Sequence, residues 1–192
     1  AWNLVPYVAV WYDQSGGGRN ATQPTLGLQP KYNHGGGFVD FKPSTRMVLP
    51  YIFTTGNGPY TYVTQHRNIN NPQGAIFEVG HRNTNQAVIF QRYNSQYDSC
   101  WVSSDLFFGS YAPNSILSET YSGTQRSTYV NSQLISAPAY STRNGQGTSG
   151  ILGGSGEVNN IEIMNGELYY LGTSSIVLSD TDRKLLEGVG KP

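Results

Sequence analysis

The chain is short of what most function classes require. It has one cysteine, Cys100, in 192 residues, so no intramolecular disulfide can form and no cysteine pair exists to build a zinc site. A domain of this size folds without such staples, and the redox compartment is left open. Charged residues make up only 12% of the chain, with twelve Lys and Arg against twelve Asp and Glu. That balance removes the basic footprint of a protein that grips a phosphate backbone or an anionic bilayer, so nucleic acid is excluded as a partner. No run approaches the roughly 18 apolar residues of a membrane span, which excludes membrane insertion. The nucleophile elbow G-x-S-x-G, the P-loop and H-E-x-x-H are all missing. The start, AWNLVPYVAVWYD, lacks the basic segment and cleavage site of a signal peptide, and its abrupt opening in a strand-like run reads as excision from a longer protein.

What is present points to an all-β protein. Glycine (23) and tyrosine (14) are abundant, and short runs of alternating apolar and polar residues are separated by Gly, Asn and Pro. Strands are expected at 4–13, 35–42, 46–53, 60–67, 75–82, 87–94, 99–108, 116–122, 127–136, 150–156, 160–164 and 166–174. This is the spacing of a sandwich or barrel. Val130-Asn131-Ser132-Gln133 sits where a hairpin folds back, and Thr55-Gly56-Asn57-Gly58-Pro59 can reach positive φ. Only the end breaks the pattern: Ser179 can cap a short helix with Asp182 at its third position, Asp180 in its first turn, and Leu185 and Leu186 as its apolar face. One domain, 1–192, is expected.

WYDQSGGGRNATQP (11–24) resembles the WYDQSGNGxxATQ opening of the laminin-G-like branch of the concanavalin A-like lectin/glucanase superfamily. VLSDTDRKLLEG (177–188) is similar to that branch's LSDxxRxxLEG closing segment. FVDFKPSTRMVLP resembles one of its strands, and SGTQRSTYVNSQLIS its YVNG hairpin, with Ser132 where glycine is usual. The resemblance spans nearly the whole chain and implies a jelly-roll sandwich of two antiparallel sheets with the terminal strands adjacent. One departure is that the family's last helix runs on past LEG, where VGKP stops this one. Such domains recur in multidomain extracellular proteins and in phage and large-virus structural proteins as adhesion or assembly modules. Within the opening motif, Asp13 and Ser15 can cap the turn that the glycines permit; the alternative is that Asp13 contributes to a calcium site.

Two of the three histidines sit in identical triplets, His66-Arg67-Asn68 and His81-Arg82-Asn83. If 60–67 and 75–82 form a hairpin, about five residues of strand hold the imidazoles roughly 16 Å apart, too far for one metal. The triplets then read as strand ends at a sheet rim, where His66 and Arg67 could meet sugar hydroxyls. A retaining glycosidase needs two carboxylates about 5.5 Å apart. Glu157, Glu162 and Glu167 are spaced by five and alternate faces, while capping explains Asp180 and Asp182, so no catalytic pair is expected. Cys100, beside Trp101, reads as a small core residue.

Carbohydrate recognition combines aromatic rings with Asn, Asp, Arg and Gln, and RYNSQYDSCW (92–101) has that composition. Arg92, Tyr93, Tyr97, Asp98 and Trp101 are therefore the candidate ligand-binding set, with His66 and Arg67 from a neighbouring strand end. The competing reading is that these rings fill the sandwich. The sequence thus points to a non-catalytic recognition or adhesion domain for a glycan or surface polysaccharide, extracellular or on a virion or cell surface. The alternative is a structural domain that contacts other protein subunits.

Overall fold

The computed structural model describes residues 6–50, 52–53, 55–80, 87–101, 105–138, 143–147, 149–154 and 162–189. In chain order the strands are β1 (Val10–Trp11), β2 (Ala21–Thr22), β3 (Lys31–Asn33), β4 (Phe38–Phe41), β5 (Met47–Pro50), β6 (Tyr60–Arg67), β7 (Ala75–Gly80) and β8 (Ala87–Tyr93). They continue with β9 (Gln96–Cys100), β10 (Leu106–Ser110), β11 (Asn114–Tyr121), β12 (Arg126–Val130), β13 (Gln133–Ser136), β14 (Ser149–Leu152) and β15 (Gly166–Ser174), before the helix α1 (Asp180–Val189). Two antiparallel sheets form, ordered β1-β2-β5-β14-β7-β8-β9-β10 and β13-β12-β11-β6-β15-β4-β3. This is the jelly-roll sandwich with one short C-terminal helix. No helix among the described residues is long and apolar enough to cross a membrane.

One core cluster draws on both sheets. Alternation along β6 turns Tyr60, Tyr62 and His66 inward, where each is fully buried. Tyr62 meets the other sheet through Phe77, edge-on at 5.0 Å, and Phe90 at 4.8 Å, and His66 meets it through Tyr97 at 5.5 Å. Such contacts add to the area that the rings bury. A polar chain also crosses between the layers. Tyr60 donates its hydroxyl proton to Glu119 on β11, and Trp101 donates its indole N–H to the Tyr60 oxygen at 3.1 Å. Arg126 on β12 donates to the Ser99 carbonyl on β9, lies 3.5 Å from Glu119 and stacks 4.1 Å from the Trp101 ring.

Three expectations need correction. β6 and β7 do not form a hairpin: β6 pairs with β11 and β15, whereas β7 pairs with β8 and β14 in the opposite sheet. The segment 68–74 is a crossover, in which Asn68 takes φ 53°. His81 lies outside the described residues. The run 99–108 is divided between β9 and β10, which pair with each other. Finally, α1 docks less through its leucines than expected, with only Leu186 half-buried. Leu185 is 64% exposed, while Arg183 and Glu187 are each 1% exposed. Arg183 pairs with Glu187 and Asp180 and stacks 3.6 Å from the Tyr129 ring; Ser118 donates to Glu187 at 2.7 Å, and Ser132 donates to it as well. The helix therefore attaches to β11 and to the β12–β13 turn through a buried ion pair.

Candidate functional site

Where β1 faces β15 across the gap between the sheets, a groove of about 480 Å³ opens. Trp11, Tyr12 and the following loop Asp13, Gln14, Ser15 and Arg19 form one wall; Tyr169 to Thr173 form the other. Its floor is apolar, made of Ala21, Leu49, Ile52 and Leu152, with Leu186 of α1 at one end. Local sequence explains each wall. Trp11 packs partly against the core, and the alternation leaves Tyr12 64% exposed. On β15 the register shifts between Leu168 and Tyr170, which accommodates two consecutive tyrosines. Tyr170 then lies along the strand over Gly172, whose missing Cβ would sit 2.3 Å from the Tyr170 hydroxyl. A glycine at 172 is what lets that ring lie flat.

The loop carries the WYDQSGGG motif, and its geometry is that of a tied turn. The Asp13 carboxylate accepts the Ser15 N–H at 2.8 Å and the Arg19 N–H at 3.1 Å, while Asn20 accepts the Asp13 N–H at 2.9 Å. Hydrogen bonds from Ser15, with a further one from the Arg19 backbone, hold the carboxyl of Asp13 down at about 2. It is therefore a fixed negative charge at the groove rim. Gly16 and Gly18 take φ 80° and 69°, conformations that residues with a Cβ rarely adopt. The turn accounts for Asp13, and it stands apart from the single side-chain cluster of metal-ligating type among the described residues.

The residues expected to bind a ligand are not brought together. Trp101, Tyr97 and His66 are each fully buried, so their rings offer no face to a sugar; they fill the sandwich, as alternation on β9 and β6 dictates. The Tyr97 hydroxyl donates to the Ala112 carbonyl at 2.9 Å, which leaves its oxygen to accept the His66 Nε2–H at 3.1 Å. Burial drives the imidazole of His66 down to about 3, so it stays neutral. Arg92 donates to the Ile69 carbonyl and covers the Tyr111 ring at 4.0 Å, a packing role. Arg67 stacks 5.2 Å from Tyr169 and lies 3.9 Å from Glu167, which places it beside the groove. Tyr93, 38% exposed, and Asp98 lie on the outer face of the β8–β9–β10 sheet.

That outer face holds a feature that sequence reasoning missed. Asp98 is opposite Gln91 on β8 and Phe107 on β10, and it is 2% exposed. Its Oδ2 accepts the Gln91 amide N–H at 2.9 Å; desolvation pushes its carboxyl up to about 7, with the Gln91 bond opposing and Asp105 adding to the rise. Carboxylate oxygens of Asp98 and Asp105 and the Cys100 sulfur all lie within 4.8 Å of one another. Two acids thus approach on this face; the expectation of no catalytic pair was drawn from Glu157, Glu162 and Glu167, of which Glu157 lies outside the described residues. The signal was there in the i, i+2 spacing of Asp98 and Cys100 on a strand, but Asp105 joins only because β9 turns back as β10. Cys100 itself is half-buried, packed with Ala75 and Ile89 outside the main core.

No protein-family model and no curated protein sequence matches the chain. Solved structures do resemble it. A GH54 α-L-arabinofuranosidase soaked with a cyclic sulfate inhibitor superposes with a TM-score of 0.71 at 12% identity, over 96% of this chain and 50% of that one. Domain 4 of AbnA, a GH43 extracellular arabinanase from Geobacillus stearothermophilus in complex with arabinotriose, gives 0.62 at 12% identity, over 78% and 76%. Mouse laminin α1 chain domains LG4-5 give 0.58 at 14%, over 79% and 45%. The chain thus spans about half the length of the arabinofuranosidase and laminin structures it matches. These likenesses establish the concanavalin A-like jelly-roll fold.

Proposed function

We propose that the chain is a non-catalytic carbohydrate-recognition domain of an extracellular, virion or cell-surface protein, and that the groove between β1 and β15 is its saccharide site. The observation that carries this reading is the groove itself. Its volume of about 480 Å³ suits a small ligand. Trp11, Tyr12 and Tyr170 supply ring faces beside the directional polar groups of Asp13, Gln14 and Arg19, which is the chemistry that sugar hydroxyls and C–H faces need. Glycoside hydrolysis canonically uses two carboxylates; among the described residues that line the groove, Asp13 is the only acid. The resemblance to an arabinotriose-bound domain is in keeping with the proposal.

A glycan array followed by titration tests it. Selective binding is expected, weakened at least tenfold by Tyr12→Ala, a ring exposed enough that its loss leaves the fold intact. Gly172→Ala should weaken binding similarly by pushing the Tyr170 hydroxyl out of place, since the group it displaces is the end of a side chain rather than backbone. Silence across a broad array, combined with self-association in solution, would favour a subunit-contacting structural domain instead.

A further inference from the structure

We propose that the outer face of the β8–β9–β10 sheet holds a divalent transition-metal site, with Asp98, Cys100 and Asp105 as its ligands and zinc-class ions as its occupants. The three donor atoms lie within 4.8 Å of one another. A tetrahedral ion with bonds of about 2.0–2.3 Å sets its donors roughly 3.3–3.8 Å apart, so small side-chain movements close the site. Topology makes the cluster: Asp98 and Cys100 share the outward face of β9, and Asp105 lies one residue before Leu106, which pairs with Ser99 and so brings Asp105 alongside Cys100.

The independent observation is a pair of buried acceptors with nothing to accept. Asp98 Oδ1 and Gln91 Oε1 have no hydrogen-bond partner, although Asp98 is 2% and Gln91 7% exposed. A buried carboxylate oxygen without a partner is costly, and a cation bound at Asp98 would satisfy it. Gln91 donates its amide N–H to Oδ2 and so orients Asp98 in the way that neighbours of metal ligands commonly do, and exposed Asp105 leaves a path of entry. The thiol sets the class of ion: a sulfur with two carboxylates suits zinc or cobalt, whereas calcium and magnesium prefer oxygen alone.

The same two acids could be imagined as a hydrolytic pair, since retaining glycosidases space theirs at about 5–5.5 Å. A thiol as the third member of the cluster is what a metal uses and a glycosidic bond does not.

The test is a titration of chelator-stripped, reduced protein with Co²⁺ and then Zn²⁺. Cobalt should give a thiolate-to-metal charge-transfer band, with one equivalent of zinc abolishing it. Because the chain has one cysteine, such a band can report only on Cys100. It should vanish in Cys100→Ser and need at least tenfold more cobalt in Asp105→Asn, an exposed change that leaves folding intact. Saturating zinc should raise the Tm of the wild type, as a ligand of the native state must, and raise that of Asp105→Asn less; calcium should leave both unmoved. The proposal is overturned if no such band forms, or if Asp105→Asn binds cobalt as tightly as the wild type. Metal-free hydrolysis of a nitrophenyl glycoside, lost in Asp105→Asn, would overturn it in favour of an acid pair.

Discussion

Replacing Arg126 with methionine examines the polar chain that crosses the sandwich. Arg126 and Glu119 are both fully buried, 3.5 Å apart. The guanidinium also donates to Ser99 and covers Trp101 at 4.1 Å. Methionine refills much of the volume but removes the charge, leaving the Glu119 carboxylate in the interior with the Tyr60 hydroxyl as its donor. Breaking a buried pair in this way costs about 3–5 kcal/mol, and the lost ring stacking belongs to the same disruption. A loss of about 4 kcal/mol is expected, equivalent to a fall in Tm of roughly 10 °C for a chain of this size. Urea unfolding of wild type, Arg126→Met, Glu119→Gln and the double variant forms a cycle. The double variant should regain at least half of the Arg126→Met loss, because the introduced amide keeps an oxygen for Tyr60 while the uncompensated charge is gone. Strict additivity, or an Arg126→Met cost of less than about 1 kcal/mol, would refute the reasoning.

Two further outcomes follow from the structure. Burial raises the carboxyl of Asp98 to about 7 from 3.8. The folded state therefore holds this proton more tightly, and the associated stability is full below pH 4 and lost as pH rises through 7. His66, lowered to about 3 from 6.5, acts oppositely, its contribution being full above pH 6.5 and lost as pH falls toward 3. Melts of wild type and Asp98→Asn between pH 4 and 8 isolate the first group: the wild type should lose ground to the variant as pH rises, and a pH-independent difference would count against the burial of Asp98. At the helix, the Ser179 hydroxyl accepts the Asp182 N–H at 3.1 Å and donates to its carboxylate at 2.6 Å. Ser179→Ala should cost about 1 kcal/mol, measured by urea unfolding.

Alternation and turn residues made much of the fold legible. The strands at 60–67 and 166–174 appear with the same limits, and Asn131 and Ser132 make the predicted hairpin with φ of 49° and 71°. Pairing was not legible. Nothing local says that the chain between Arg67 and Ala75 changes sheets, because a seven-residue link with Gly and Pro serves a hairpin or a crossover equally well. The misplaced sugar platform has a related cause. Tyr97 and Trp101 have the composition of one, but which face of β9 is covered depends on a sheet that meets it from far along the chain. The groove was half visible, in the Trp11-Tyr12-Asp13 motif. Its other wall, Tyr169 and Tyr170, breaks the alternation, and that doublet is the mark of the register shift which admits both to the cleft. The two-residue strands β1 and β2 are too short to give a periodic signal.

The bridge of Ser99, Arg126, Glu119, Tyr60 and Trp101 bears on mechanics as well as on stability. Greasy layers can slide past one another at little cost, since an apolar surface that parts from one neighbour soon meets the next. A chain of directional bonds has one alignment only, so sliding the sheets by a single residue breaks the Arg126–Ser99 and Trp101–Tyr60 links together, while the Arg126–Glu119 pair, held within one sheet, is left without its ties across the gap. Under tension the sandwich should hold as one block, and yielding should begin where the layers are not keyed together, at the short ribbons beside the cleft.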